Sequence, residues 1–248
     1  TRAGILVAKA AADTVKRVTQ ELGGKSPNII FEDADLERAV TAGVNHMMGN
    51  TGQSCNAQSR MRVHSSVYDK AVAIAKEAAG NVAVDQPTKE GQHLGPLSSR
   101  VQFDKVQGLI EKGIEEGATL VAGGPGKPKG LETGYFVRPT VFANVTNEMT
   151  IAQEEIFGPV LSMIPFETEE QAIQIANDTP YGLSAYFSTT SEERAARVAS
   201  QLRAGMVSVN SASQDYTAPF GGYKQSGNGR EWGEFGFDDF LEIKGITV

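Results

Sequence analysis

The chain has 248 residues, 40% of them hydrophobic, which bounds it to one large domain or two small ones with a real core. Twenty-three basic residues against 30 acidic ones leave a net charge of −7, which disfavours nucleic acid and anionic membrane surfaces as partners, since both need a basic footprint. No run approaches the roughly 18 apolar residues of a membrane span. No signal-peptide pattern is visible. A lone cysteine suits a reducing compartment, so a cytoplasmic location is expected. The three histidines (His46, His64, His93) are far apart and form no ligand motif, so no metal site is expected.

In chain order, residues 4–18 predict a helix with Ile5, Val7, Ala8, Ala11, Val15 and Val18 near one face. Residues 28–31 read as a short strand. Asp33 and Asp35 are candidate caps for a helix over 36–48. A strand over 61–63 follows, then a helix capped by Ser66 and ending near Gly80, a long helix over 100–116 stopped by Gly117, and a strand over 120–122. The glycine-rich stretch 123–130 lacks phosphate-loop spacing and opens no helix, so it reads as a surface turn. Residues 135–145 alternate but contain Pro139, which predicts an edge or irregular strand. Strands over 160–166, 184–188 and 206–210 alternate with helices over 169–177 and 192–202. A short helix over 229–236 and a last strand over 240–248 are expected.

Strands alternating with helices predict an α/β fold of three layers, a mostly parallel sheet with helices on both faces. In such sheets sites lie at the carboxyl ends of the strands. Residues 21–27, 49–57 and 210–224 read as such junctions and are expected to build one site.

Cys55 is the only cysteine and follows Gly52-Gln53-Ser54, between two helical patterns. It is either an inert buried thiol, the commoner case, or a nucleophile, and its polar, flexible flanks leave the second reading open. Glu21 stands in Glu21-Leu22-Gly23-Gly24-Lys25-Ser26-Pro27, a second glycine-bearing junction. Its carboxylate is a candidate base, although most glutamates are surface charges. Glu154-Glu155 alone reads as a charge pair at a helix N-terminus, and Phe157 as core.

Four runs together resemble the aldehyde dehydrogenase superfamily. They are Glu21 to Ile30, Gly52 to Arg60 with Cys55 34 positions after Glu21, Glu154-Glu155-Ile156-Phe157-Gly158-Pro159-Val160, and Pro219-Phe220-Gly221-Gly222-Tyr223-Lys224-Gln225-Ser226-Gly227. The resemblance covers essentially the whole chain, in order. It implies that Cys55 attacks an aldehyde carbonyl to give a thiohemiacetal, that hydride passes to NAD or NADP, and that water activated by Glu21 hydrolyses the thioester. It implies that Glu155 accepts hydrogen bonds from the nicotinamide ribose and that Phe157 packs near the nicotinamide. Ser54, Asn56, Gln214, Tyr216 and Phe220 are the implied substrate-binding residues. Glu231 has two readings, a proton exit path or an ion-pair partner of a nearby base.

The resemblance also implies that residues 1–23 end a dinucleotide-binding domain whose start lies upstream, that 24–224 form the catalytic domain, and that 225–248 return as a helix and strand. On this reading the chain is the catalytic half, inactive alone, of an enzyme that forms a homodimer or homotetramer when full-length. Two rivals remain: a Cys/Glu acyl-transfer hydrolase without nucleotide, and a non-catalytic module in which Cys55 is merely buried.

Overall fold

The structure, a computed structural model, describes residues 1–248. Helix α1 (Arg2–Ala12) is shorter than the apolar pattern predicts. Beyond it the Thr14 hydroxyl donates to the Ala11 carbonyl at 3.1 Å, a side-chain bond that competes with helix continuation. Val15 then adopts a left-handed φ of 54°. Ile5, Leu6, Val7 and Val15 are exposed, so the expected buried face of this helix is not covered within the chain.

The short strand β1 (Gln20–Glu21) leads into β2 (Pro27–Ile30). Helix α2 (Leu36–Met48) is capped by Asp35, whose side chain accepts the Arg38 N–H at 3.2 Å. Asp33 instead accepts from Thr189 and Thr190 and pairs with Arg194. After β3 (Arg60–His64), it is His64 Nδ1 that accepts the Ser66 N–H, and α3 (Tyr68–Gly80) begins one turn later without a side-chain cap. Ser66 is thus the capped residue, not the cap. Helix α4 (Arg100–Glu115) and strand β4 (Thr119–Ala122) follow as expected.

Strand β5 (Thr140–Ala143) corrects the edge-strand expectation. It is fully buried between β4 and a later strand, because Pro139 stands just outside the ladder and removes no bond from it. Helix α5 (Thr150–Gln153) precedes β6 (Val160–Phe166), so Glu154-Glu155 follows a helix and does not open one. Helix α6 (Glu169–Asn177), β7 (Ser184–Ser188), α7 (Glu192–Gln201) and β8 (Met206–Val209) complete the pattern. Strand β9 (Gly227–Asn228) pairs antiparallel with β1. Only α8 (Phe235–Asp238) is helical in the tail, and the expected last strand is absent: 240–248 has no regular structure and finds no sheet edge to join.

The main sheet has the order β4-β5-β6-β3-β2-β7-β8, and every neighbouring pair is parallel except β4 and β5. Its central strands are buried on both faces, as parallel strands must be. Met61, Val63, Leu161 and Met163 pack on one side against Val40, Val44 and Ala75 of α2 and α3. On the other side Phe142 and Val160 meet Val106 and Ile110 of α4. There too Phe31 and Phe187 meet Ile173 and Val198 of α6 and α7. The predicted three layers are present.

The parallel register also overturns one expectation. Residues 21–26 run into β2, 49–59 into β3 and 154–159 into β6. These loops lie at the amino ends of the strands, not the carboxyl ends. Only 210–224 leaves a strand, β8, at its carboxyl end.

Candidate active site

Close backbone approach gathers these loops. After α2, Asn50, Thr51 and Gly52 adopt left-handed φ angles of 51°, 57° and 69° in succession. That sharp turn carries the chain to Gln53-Ser54-Cys55. A Cβ on Gly52 would collide with the Gly158 carbonyl. One on Gly24 would stand 2.5 Å from the Cys55 carbonyl oxygen, and one on Gly23 would enter the Glu155 carboxylate. The glycines of two sequence motifs are therefore the points where the Glu21, Cys55 and Glu155 segments touch.

Glu21 and Cys55 perturb each other. Burial pushes the Glu21 carboxyl up to about 7, and Glu231 and Glu155 add to the shift while the thiol opposes it. Burial pushes the Cys55 thiol up to about 12, with the Glu21 carboxylate reinforcing it. The resting pair near neutral pH is thus a protonated thiol beside a carboxylate at its titration midpoint. A carboxylate poised there can accept a proton either from the thiol or from a water. Its Oε1 is buried without a hydrogen-bond partner, so it has acceptor capacity to spare.

The Glu155 carboxylate is held on the backbone of the Glu21 segment: the Gly24 N–H donates to its Oε1 at 3.0 Å. Two residues of α4, one turn apart, clamp its loop. Lys105 Nζ donates to the Glu155 carbonyl at 2.6 Å, and Gln102 Nε2 donates to the carbonyls of Ile156 and Phe157 at 2.9 and 2.7 Å. Three successive carbonyls are fixed this way, and Phe157 is kept at a left-handed φ of 58°. Strain of this kind persists only where the surroundings over-determine it. Sequence reasoning missed Gln102 and Lys105, because a Gln and a Lys three apart on an exposed helix carry no local signal. It also passed over Lys25, which is 1% exposed with an unpartnered Nζ. Burial, with Arg60 beside it, holds that amine down to about 7 against the pull of Glu155.

Of the substrate-binding candidates, Ser54 lines a pocket of about 10 Å³ with Gly24, Glu155 and Phe157. Asn56 and Gln214 line the largest cavity, about 750 Å³, together with Tyr186 and Trp232. Tyr186 Oη donates to the Asn56 carbonyl at 3.1 Å. Phe220 is buried and, with Glu21 and Glu231, lines a space of about 70 Å³. Tyr216 is 67% exposed, and its ring lies 4.9 Å from that of Trp232 at a tilt of 54°. Glu231 makes no ion pair. Its backbone bridges Phe220 in both directions at 2.7 Å, and its charge bears on Glu21.

A doubly covered parallel sheet with a cysteine–carboxylate centre at its amino edge defines an α/β catalytic domain. The chain belongs to the aldehyde dehydrogenase family, whose model matches residues 1–246. It is 58% identical over 246 residues to a 3-succinoylsemialdehyde-pyridine dehydrogenase of a Pseudomonas species, covering 99% of this chain and 52% of that protein. It is 51% identical to a putative aldehyde dehydrogenase of Staphylococcus saprophyticus, covering 98% and 51%. Among solved structures it is similar to a mutant of aldehyde dehydrogenase C of Pseudomonas syringae, complexed with NAD+ and octanal (TM-score 0.95, 53% identity, 97% of this chain and 50% of that one). An aldehyde dehydrogenase from Bartonella henselae matches with a TM-score of 0.95 at 51% identity, covering 97% and 50%. The chain spans about half the length of the curated relatives it matches.

Proposed function

We propose that this chain is the catalytic half of an NAD(P)+-dependent aldehyde dehydrogenase that makes a carboxylic acid through a thioester on Cys55. The observation that carries this reading is the convergence of the Cys55 thiol, the perturbed Glu21 carboxyl and the Gly24-bound Glu155 carboxylate across backbone contacts that only glycine permits.

Each residue has a step. Glu21 takes the thiol proton as Cys55 Sγ bonds to the aldehyde carbon and the carbonyl oxygen becomes an oxyanion. A bound oxidised nicotinamide would supply the acceptor for the hydride of that carbon, and with the hydride gone the oxyanion would collapse to a thioester on Cys55. Glu21 gives that first proton up to solvent and then takes one from water as the water oxygen attacks the thioester carbon. The C–S bond breaks, the acid leaves and the sulfur regains a proton. A base with a pKa near the operating pH suits both transfers.

The Glu155 carboxylate packs on the Gly23-Gly24 backbone, with one oxygen accepting the Gly24 N–H and acceptor capacity left for the ribose hydroxyls of a nicotinamide riboside. Glu155 would bind the ribose hydroxyls and Phe157 would pack against the ring. Ser54, Asn56, Gln214, Tyr216 and Phe220 would contact the aldehyde, and the cavity at Asn56 would admit it. Among relatives, the name 3-succinoylsemialdehyde-pyridine dehydrogenase makes a pyridine semialdehyde one candidate substrate.

The division at residues 23 and 224 belongs to the same reading. All seven strands of the main sheet lie within 27–209, while β1 and β9 pair outside it. Oligomeric assembly and a cytoplasmic location are further parts of the proposal; no helix is long and apolar enough to cross a membrane. The experiment is to add a panel of aldehydes and NAD+ or NADP+ to the full-length protein and follow reduced-nicotinamide absorbance. Growth of that absorbance with acid formation is expected. Ester hydrolysis with no cofactor reduction on any aldehyde would establish the hydrolase instead, which has no use for the clamped Glu155–Phe157 loop.

A further inference from the structure

Trp232 is the only tryptophan in the chain, and it is held in a conformation that bulky side chains avoid. Its φ is +63°, in the left-handed region, where a residue with a Cβ stays only if its surroundings fix it. Several contacts fix it here. Glu231, just before it, is bonded in both directions to Phe220 at 2.7 Å. The Trp232 carbonyl accepts the Gly236 N–H at 3.0 Å. Gly233, just after it, lies so close to the Thr217 carbonyl that no other residue fits. Nothing in the fold's core needs an indole at this place: Trp232 lies outside the three apolar clusters and is half-buried.

What the strained turn achieves is an aromatic wall. The indole lies 4.6 Å from the Phe220 ring at 45° and 4.9 Å from the Tyr216 ring at 54°. Phe220 reaches the Glu21 space on one side. Trp232 borders the 750 Å³ cavity on the other, and that cavity extends to Asn56, the residue after Cys55. Gln214 and Gln58 supply polar atoms on the same lining.

We propose that Trp232 is a specificity-determining residue that selects aldehydes carrying a planar aromatic or heteroaromatic ring a short spacer away from the carbonyl. The inference rests on the aldehyde-oxidising reading above and names the substrate class of that site. An aromatic ring packed against the part of the indole that borders the cavity, offset or edge to face, is favoured over an alkyl chain of similar area by an amount equivalent to about three- to tenfold. The amide side chains serve a ring nitrogen or a keto group.

Two measurements test it. In the full-length protein, kcat and KM are compared for 3-(pyridin-3-yl)propanal, phenylacetaldehyde and hexanal with wild type, Trp232→Leu and Trp232→Phe. Trp232→Leu should lower the aromatic-to-aliphatic ratio of kcat/KM by about three- to tenfold, mainly through KM, and Trp232→Phe should retain most of the preference. A ratio that moves by less than about twofold in both variants overturns the proposal. If wild type oxidises no aldehyde, the dehydrogenase reading fails, and the second measurement decides the question of Trp232. In the 248-residue chain bearing Cys55→Ala, Trp232 is the sole indole fluorophore. 3-(Pyridin-3-yl)propanal should quench it saturably and hexanal should not. Quenching that is linear in aldehyde concentration, or equal for the two, overturns the assignment even if Trp232→Leu fails to fold.

Discussion

The Cβ that Gly24 lacks would stand 2.5 Å from the carbonyl oxygen of Cys55. The Glu21 segment and the Cys55 loop therefore meet backbone to backbone, and the same residue's N–H holds Glu155. Gly24 has no unusual φ, so space alone makes it a glycine. Gly24→Ala should push the two segments apart, at an overpacking cost of about 1–3 kcal/mol. Urea unfolding measures that cost, and turnover of the full-length protein should fall with it. A variant as stable and as active as wild type would mean that the loops are not in register through this contact.

Cys55→Ala should abolish aldehyde oxidation and leave folding and cofactor binding intact. Loss of the covalent route costs many powers of ten, far more than the roughly tenfold effect of a displaced helper. Turnover above a tenth of wild type would remove Cys55 as nucleophile. The thiol also makes a pH prediction. Burial and Glu21 hold it well above the ordinary value of 9.0, so alkylation of the unliganded chain by iodoacetamide should keep accelerating beyond pH 9. A plateau at or below pH 9 would contradict the buried, carboxylate-facing thiol.

Glu21→Gln should slow thioester hydrolysis by about 10²–10⁴ while acylation, and hence a burst of reduced cofactor, persists. Unchanged steady-state rates would show that this carboxylate is not the base. Stability gives a second readout. The folded chain holds the Glu21 proton up to about 7, whereas the unfolded chain releases it near 4.5. Between those values folding retains the proton, so this group's contribution is full below about 4.5 and is lost as pH rises to 7. Glu21→Gln lacks that loss. Its thermal midpoint relative to wild type should climb from pH 4.5 to 7 and level off above, by an amount reduced by solvent screening because the group is half-exposed.

Much of this arrangement was legible in the sequence. Period and turn residues mark α2, α4, β6 and β7 nearly to the residue, and glycine-bearing junctions single out Glu21 and Cys55 as candidates, whereas Glu155 enters only through the family resemblance because its run alone reads as a helix N-terminal charge pair. What escaped has physical causes. The carboxyl-edge rule describes sites in loops that leave strands, and here the three central loops enter them. α1 rests on Gln20 and Leu22 through Gly4 alone and leaves Ile5, Leu6 and Val7 uncovered, so apolar periodicity does not tell its length. β5 is an interior strand, one in from the β4 edge, because Pro139 falls outside the ladder. Gln102 and Lys105 act on main-chain carbonyls fifty positions away, a tertiary relation with no local trace.

That clamp is testable. Gln102→Ala removes the donor to the Ile156 and Phe157 carbonyls and leaves the left-handed Phe157 without its fastener. Local opening of this loop should become easier by about 1–3 kcal/mol, the usual cost of orphaning buried acceptors. Amide hydrogen exchange over 154–160 should speed up while exchange in β2 and β3 stays unchanged. KM for the cofactor should rise in the full-length protein. Exchange in 154–160 equal to wild type would show that the loop holds its shape without α4.

Lys25 gives the last prediction, with a sign opposite to that of Glu21. The amine is buried, its Nζ has no partner, and the fold holds it at about 7 against an ordinary 10.5. Between those values the unfolded chain carries the proton and the folded chain does not. Stability from this group is therefore full above about 10.5 and is lost as pH falls to 7. Each pH unit in that window is worth at most ~1.4 kcal/mol. The groups that bear on the amine are Arg60 of β3 and Lys105 of α4, which oppose its charge, and Glu155 and Glu154, which favour it. Lys25→Met fills the same volume without a titrating group. It should be closest to wild type in stability near pH 10, and its advantage should widen as pH drops toward 7 and then stop growing. Chemical denaturation of both proteins at pH 6 to 10 measures this directly. Parallel stability curves across that range would mean that the amine keeps its proton in the fold, and hence that a partner for Nζ lies in the space beside Ser26 and Tyr181.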